Sequence, residues 1–546
     1  MKEKEKNSVS KDKASKMENA KNKVSSTISS TKEKGKVGLF HVVFGRTFII
    51  ALLLCIQIIF LFGISYWLKE YTGYIYGLSS ILAVFIMINI MNKKENPSYV
   101  LTWVIPILIL PVFGVLLYIF VKSHIGSRVI QKRHKMAMEK TKKYLELDPV
   151  LVEKLEEEEP SIASLAKYMS AYGGYPMVKN TEVKYFSCGE EKFASLIEEL
   201  EKAESFIFLE YFIISKGYMW DTILEILKRK AKQGVDVRVM YDGMCSLVLL
   251  PYSYPEQLEK FGIKCKIFSP PKPALSSYQN NRDHRKILVI DGKVAYTGGI
   301  NIGDEYINAI ERFGYWKDTA VLLKGDAVHN FTFMFLQMWD VVTTKYEINY
   351  EHYMKKTENH PNQDLGYVMG YSDSPLDNEN VGEEVYLHIL NHAKKYVHIM
   401  TPYLILDYEM ERALEFTAKR GIEVILILPH IPDKKYAFWL AKTYYKNLID
   451  AGVQIYEFRP GFVHAKVFTS DNEKAVVGTI NLDYRSLYLH FECAAFMYKN
   501  PVILDIEKDF QQTLEQSIHI TKESLKQISP IIKFIGKVLR LFAPLM

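Results

Sequence analysis

The feature that most limits how this chain can fold is that residues 178–515 are written twice. EEKFASLIEELEKAES (190–205) and EEVYLHILNHAKKY (383–396) carry apolar residues at helical spacing. Each leads into an apolar strand, FIFLEYFI (206–213) and VHIMTPYLI (397–405). AKQGVDVRVM (231–240) and AKRGIEVILI (418–427) then each close a helix at a glycine, Gly234 or Gly421, and open a second strand. FGIKCKIF (261–268) and AGVQIYEF (451–458) supply a third. Alternating strands and helices predict an α/β fold, a parallel or mixed sheet flanked by helices, built twice. A unit of about 170 residues is too long for a solenoid repeat. The chain is therefore expected to hold a duplicated domain, with halves over 178–345 and 346–515.

The matching segments also carry the chemistry. HRKILVIDGKVAYTGGIN in the first half offers His284, Lys286 and Asp291, and HAKVFTSDNEKAVVGTIN in the second offers His464, Lys466 and Asp471. In both, a glycine follows the histidine by 14 residues (Gly298, Gly478) and an asparagine by 17 (Asn301, Asn481). On an extended strand, side chains two residues apart point to the same side, so each copy presents an imidazole and an ammonium together. Two copies facing each other about a pseudo-twofold axis make one pocket with two histidines, two lysines and two asparagines. Ammonium groups and amides suit the oxygens of a phosphoryl group and stabilise its developing negative charge. One histidine can attack phosphorus while the other protonates the leaving oxygen and then serves as base for the acceptor. These groups call for no metal and no other cofactor.

A working imidazole also needs its second nitrogen oriented. Asp318 in KDTAVLL and Glu492 in FECAAFM each open the strand that follows a motif and are the candidates, with the pairing of acid to histidine left open. Asp291 and Asp471 admit a second reading as turn residues, since each precedes Gly or Asn between two strands. Tyr211, Phe212, Pro402 and Tyr403 end matching strands, where they either pack or line the pocket.

The N-terminal part is of a different kind. Residues 1–46 hold 12 Lys/Arg against 5 Asp/Glu and few apolar residues before Val37, which predicts a disordered basic tail. In the region 47–122, three uncharged apolar segments follow, 47–68, 73–91 and 99–121, each long enough for a transmembrane helix. Pro106 and Pro111 should kink the third. A charged, solvated helical connector is expected over 123–177. Residues 516–546 end in an amphipathic helix, with Lys533, Lys537 and Arg540 on one face, placed either at the membrane interface or against the body. With three spans, Lys/Arg counts weakly favour a cytoplasmic catalytic part, while Lys93 and Lys94 pull the other way.

The overall charge of +6 is a sum of unlike parts. The tail contributes +7 and residues 122–143 another +7, which leaves the remainder at −8. Positive charge thus flanks the apolar segments, where anionic lipid is the expected partner, and no basic stripe with interleaved aromatics speaks for nucleic acid. Five cysteines without a CxxC pair give no sign of a zinc site or a disulfide framework.

With both motifs in view, the chain resembles the phospholipase D superfamily, whose signature is a paired HxKxxxxD followed by Gly and Asn. Within it, the chain is similar to the bacterial cardiolipin synthases through NPSYVLTWVIPILILPVFGVLLYIFV, YWKDTAV and NLDYRSL. The resemblance implies a sandwich-like α/β fold for each half and one active site between them. It places His284, Lys286, Asp291, His464, Lys466 and Asp471 at catalytic positions, with His284 as the nucleophile. It also implies a multi-pass cell-membrane enzyme that transfers a phosphatidyl group from one phosphatidylglycerol to another and releases glycerol. Gly299 and Thr479 stand where the family often has Ser, which bears on a phosphate contact. A membrane-bound phospholipase D-type hydrolase, or another phosphatidyltransferase, would use the same residues. A nuclease has little need of several apolar segments, and two intact motifs argue against an inactive scaffold.

Overall fold

The computed structural model describes residues 72–93, 96–121, 125–270, 280–343, 348–354, 364–377 and 379–545, with a few isolated positions between 52 and 63. The chain divides into two units, and one of them, 1–69 with 272–275, lies almost wholly outside the described residues. The expected tail and most of the first apolar segment fall there. Both large sheets and the helices from Thr72 onward belong to the other unit.

The first half forms a seven-stranded sheet in the order Thr181–Phe186, Ala320–Gly325, Val294–Gly298, Lys286–Ile290, Phe206–Tyr211, Asp236–Asp242, Lys264–Phe268. The second half repeats it as Tyr367–Asp373, Glu492–Tyr498, Lys474–Gly478, Val467–Ser470, Tyr396–Met400, Glu423–Pro429, Gln454–Phe458, then adds Ser517–Ile520 at the edge. In each sheet the last three repeated strands run parallel and the others pair antiparallel. The expected duplication is therefore present strand for strand. Gly234 and Gly421 close their helices with φ of +94° and +86°, a conformation that costs glycine little.

Every residue of Phe206–Tyr211 is buried, because both faces of its sheet are covered. Ile207, Leu209 and Tyr211 face an outer cluster under the helices Gly189–Glu201 and Tyr218–Lys232. Phe206 and Phe208 face an inner cluster that also holds Ile427, Val467 and Val477 of the second sheet and the buried helix Val328–Val342. The two sheets thus share one core, which takes in Val328–Val342 and one face of Val502–Glu515, with further helices outside. The 123–177 connector is more than a solvated spacer. Its helix Ile125–Thr141 lies on Val328–Val342, where Gln337 Nε2 donates to Thr141 Oγ1 at 2.6 Å, and Leu151, Leu155, Ile162 and Leu165 enter the core of the second half.

The apolar N-terminal segments depart from the expectation of three spans. Residues 73–91 do form one helix, Thr72–Met91, which carries Ser79, Ser80 and Asn89. The segment 99–121 is not one kinked helix but two, Pro97–Ile109 and Pro111–Val121. They fold back on each other. The rings of Trp103 and Tyr118 lie 5.3 Å apart, and a Cβ on Gly114 would come within 2.6 Å of the Ile107 Cα. At 1.5 Å per residue each arm reaches about 20 Å or less, short of the roughly 30 Å hydrocarbon core. Among the described residues no helix is long and apolar enough to cross a membrane.

The hairpin nevertheless packs with Thr72–Met91 through Ala83, Ile90, Ile107 and Val115 and leaves a broad apolar exterior, with Leu78, Phe85, Leu108 and Ile109 among the exposed residues. Its start is fastened to the second half. Asn96 Nδ2 donates to Asp407 Oδ2 at 2.8 Å and to Tyr488 OH at 2.9 Å, and Tyr99 sits edge-on to Tyr484 and Tyr488. The C-terminal helix Pro530–Arg540 docks by one face on Lys435–Ala451, where Gly536 lets the backbones approach, and Arg540 Nη2 reaches Glu411 Oε2 of the neighbouring helix Tyr408–Lys419 at 2.6 Å. Its other face exposes Ile531, Phe534, Val538 and Leu541.

Candidate active site

Backbone pairing between the halves builds the site. Gly461–Val463 runs parallel to Tyr315–Lys317, so the His464 N–H donates to the Lys317 carbonyl at 2.7 Å and His464 arrives beside Asp318. Across the pseudo-twofold, the His284 N–H donates to the Phe491 carbonyl at 2.9 Å and His284 arrives beside Glu492. Each histidine is therefore oriented by the acid of the other half. His284 Nδ1 is 2.9 Å from both Glu492 oxygens, and His464 Nδ1 is 2.6 Å from Asp318 Oδ2. The sequence left this pairing open; in the structure Nδ1 of each ring, and not Nε2, is the atom that meets the acid.

Lys286 Nζ donates to its own motif's His284 carbonyl at 2.6 Å, and Lys466 donates to the His464 carbonyl in the same way. All four side chains are buried. Burial brings Lys286 down to about 8; burial and the Lys286 charge bring Lys466 to about 7. Burial also lowers both histidines, His464 to about 4 and His284 well below the usual imidazole value, and Lys286, His490, Lys466 and His464 add to the effect on His284. Charges of each motif thus bear on the histidine of the other, which puts the two motifs in one electrostatic neighbourhood. The acids diverge. Burial works to raise Asp318, but His464 and Lys466 outweigh it and hold the carboxyl below its ordinary value. Burial wins at Glu492, which lies well above the carboxylate range.

The other expected residues separate into two groups. Asp291 accepts the backbone N–H groups of Glu204, Ser205 and Phe206 at 2.7–2.8 Å, and Asp471 those of Lys394, Lys395 and Tyr396 at 2.8–3.1 Å. Both sit at positive φ at the far end of the motif strand, seven residues and so up to about 23 Å from the histidine at about 3.3 Å per residue. Their geometry is that of the turn reading, tying the motif strand to its neighbour, and not of a group acting at phosphorus. Asn301 is engaged at both ends, accepting from Ile213 N at 3.1 Å and donating to Tyr306 OH at 3.0 Å. Asn481 is buried with Oδ1 unpaired.

At the position after the motif glycine, a Cβ on Gly299 would meet Asp318 Oδ1 at 2.1 Å, whereas the Thr479 hydroxyl donates to Glu492 Oε2. A short acid is matched with no side chain, and a long acid with a hydroxyl. Phe212 stands edge-on to His284 at 4.9 Å, so one of the candidate lining residues does reach the site.

Two further buried groups lie outside the expected set. Lys192 is on an amphipathic helix that reads as a surface element, yet its Nζ reaches Tyr211 OH and the Ile300 carbonyl at 3.2 Å, and burial lowers it to about 7. His490 packs 5.4 Å from His284, ring to ring. Its signal in the sequence is the HxE spacing with Glu492, which sets both on one side of an extended segment. Among the described residues, His284, His490 and Glu492 come within metal-ligand reach of one another, as do Glu383, Asp407 and Glu409. In the first group Glu492 is already bonded to His284, and positive charge from Lys286, Arg282 and Arg485 bears on the His490 ring, a setting for an anion rather than a cation.

The geometry agrees with what the chain is similar to. A family model described as cardiolipin synthase, PLD-like domain, matches residues 196–339 and 386–514, one match per half. A second, phospholipase D-nuclease N-terminal, matches 80–122. A cardiolipin synthase of Geobacillus kaustophilus is 33% identical over 88% of this chain and 96% of its own length. The chain belongs to the cardiolipin synthase family. It is thus a phosphatidyltransferase of the phospholipase D superfamily. A Streptococcus mutans serotype c protein described as uncharacterized is 54% identical over 84% of this chain and 98% of its own. In fold, a phosphatidylserine synthase structure from Haemophilus influenzae matches 70% of this chain and 98% of its own with a TM-score of 0.52 at 15% identity.

Proposed function

We propose that this member of the family joins two phosphatidylglycerol molecules into cardiolipin and glycerol through a phosphatidyl-histidine. The observation that carries the reading is the crossed arrangement of two buried imidazoles, each held by an acid at Nδ1 and accompanied by a lysine. His284 Nε2 attacks phosphorus, the P–O bond to glycerol breaks, and His464 gives that oxygen its proton. His464 then takes the proton of a hydroxyl on the second phosphatidylglycerol, whose oxygen attacks the phosphorus and releases His284. The lysines neutralise the non-bridging oxygens throughout. The ionised Asp318 beside His464 favours the imidazole that has to carry a proton, which supports His284 as the nucleophile.

The apolar exterior of residues 72–121 and the open apolar face of Pro530–Arg540 support a seat in the membrane, with the hairpin inserted from one side. A hairpin returns to the side it left. Lys93 and the basic residues of 125–143 then lie together on the cytoplasmic face, and the conflict of the three-span reading disappears.

Purified protein incubated with phosphatidylglycerol alone tests the reaction. Cardiolipin with equimolar glycerol is expected; phosphatidic acid instead identifies a hydrolase. Flotation with anionic liposomes tests the seat. Phe534→Glu with Leu541→Glu is expected to weaken binding several-fold, and unchanged flotation counts against the interfacial helix.

A further inference from the structure

The second half carries cationic side chains that the two-step chemistry does not use. Arg485 stands exposed on the short helix Tyr484–Tyr488, and Lys434 stands exposed at the start of Lys435–Ala451, its Nζ 5.0 Å over the Tyr403 ring. Buried Asp483, which both charges reach, has one oxygen taken by the Ser486 N–H at 2.8 Å. The His490 backbone N–H donates to the Arg485 carbonyl at 2.9 Å, which folds its ring back toward the catalytic histidine. That ring is 9% exposed, and neither nitrogen has a hydrogen-bond partner; Nδ1 lies 3.6 Å from Glu492 Oε1. Arg282 is buried close by, 2.9 Å from the Ser269 carbonyl and 3.6 Å from Asp242. Burial and the charges of Arg485, Lys286, Arg282 and Lys434 keep the His490 imidazole neutral.

A buried imidazole with unpaired nitrogens beside positive charges, of which only Arg282 has a carboxylate partner among the described residues, is a costly arrangement unless an acceptor fills it. The first half has no counterpart. Where NLDYRSL places Arg485, the matching NIGDEYI places Glu305, which pairs with Arg312 at 2.9 Å. The unequal wall suits a reaction whose two substrates are unequal at the moment of attack. One phosphodiester lies between the histidines. The other belongs to the acceptor, one glycerol away from the attacking hydroxyl, and it must be held against the repulsion of the first.

We propose that Arg485, Lys434 and His490, with Arg282 behind them, bind the phosphodiester of the acceptor lipid. This subsite rests on the phosphatidylglycerol-to-phosphatidylglycerol reading. It selects an acceptor alcohol that carries a phosphate over one that does not, and so disfavours water and free glycerol.

The full-length protein, in mixed micelles of phosphatidylglycerol with labelled glycerol, gives two products in one tube. Labelled phosphatidylglycerol reports transfer to an alcohol without phosphate, and cardiolipin reports transfer to one that carries it. Arg485→Gln, Lys434→Gln and His490→Gln are each expected to lower the ratio of cardiolipin to labelled phosphatidylglycerol by about ten- to a hundredfold, the worth of a charge-assisted hydrogen bond. Arg485→Lys is expected to recover most of it. A ratio that stays constant in all three variants, whether both products fall or neither does, overturns the subsite. A wild type that labels phosphatidylglycerol but forms no cardiolipin overturns the transfer reading itself, and the subsite with it.

Discussion

The two halves share a strand order and a motif, yet they differ in what surrounds each histidine. Within the first motif, Arg285 is buried in the inter-sheet core, with Nε 2.7 Å from Glu210 Oε1 and 3.4 Å from Asp283. The second motif has Ala465 at that place. Register makes Met400 the counterpart of Glu210, since Glu210 lies opposite Ile287 and Met400 opposite Val467. The first half faces the shared core with a buried charge pair, the second with apolar side chains. The acids differ as well: Asp318 stays ionised beside His464, while burial pushes Glu492 up beside His284. Duplication set the geometry, and the charges placed around it divide the work.

Replacing the histidines breaks the comparison most completely. His284→Ala is expected to abolish both glycerol release and cardiolipin formation, with no recovery on any substrate. His464→Ala is expected to lose about 10²- to 10⁴-fold with phosphatidylglycerol. It should recover much of that loss on a p-nitrophenyl phosphodiester, whose leaving group needs no proton. Recovery by the His284 variant instead reverses the two roles. Next in size is the charge pair. Arg285→Ala leaves Glu210 buried and unpaired, an expected loss of about 3–5 kcal/mol. Adding Glu210→Met together with Asp283→Val, the residue the second half has as Val463, copies the second half and should restore most of it in thermal unfolding. A triple variant no more stable than the single one breaks the equivalence drawn from the register.

The acids sharpen the comparison further. Asp318→Asn removes a carboxylate that works ionised and is expected to slow kcat by about a hundredfold. Glu492→Gln replaces a group that burial already drives toward its neutral form, and about tenfold is expected. Equal losses would show the two acids to be alike.

Much of this was legible in the sequence because it is local or repeated. Strand spacing of two residues puts each histidine with its lysine, the glycines at 234 and 421 mark helix ends, and the repeat fixes which strands correspond. What was not legible depends on partners far along the chain. The crossing of acids follows from parallel pairing between residues 315–317 and 461–463, which no local pattern announces. The break near Pro111 reads as a kink in sequence, and only packing of Trp103 on Tyr118 makes it a hairpin. The buried charge of Lys192 hides on a helix whose pattern is that of a surface element. For Asp291 and Asp471, the resemblance points to chemistry and the dipeptides DG and DN to a turn; three backbone N–H groups on each carboxylate decide for the turn.

The smallest expected effect separates the two lysines by pH. Without an anion, Lys466 lies at about 7 and Lys286 at about 8. Binding of tungstate, an anion of fixed charge in this range, needs both ammonium groups. Above its pKa each lysine of the free enzyme must first take up a proton, so the affinity falls as pH rises, by about tenfold per unit for each lysine already neutral. The binding curve should be nearly flat from pH 6 to 7, then fall about tenfold to pH 8 and more steeply beyond. Lys466→Met should erase the break near 7 and leave the one near 8; Lys286→Met should erase the break near 8 and, with that like charge gone, move the remaining one upward from 7. Titration calorimetry at each pH, in buffers of different ionisation enthalpy, reads both the affinity and the protons taken up. If the two breaks coincide, the halves differ only around their acids and not in the field that the lysines feel; if they exchange places, the fields differ in the opposite sense.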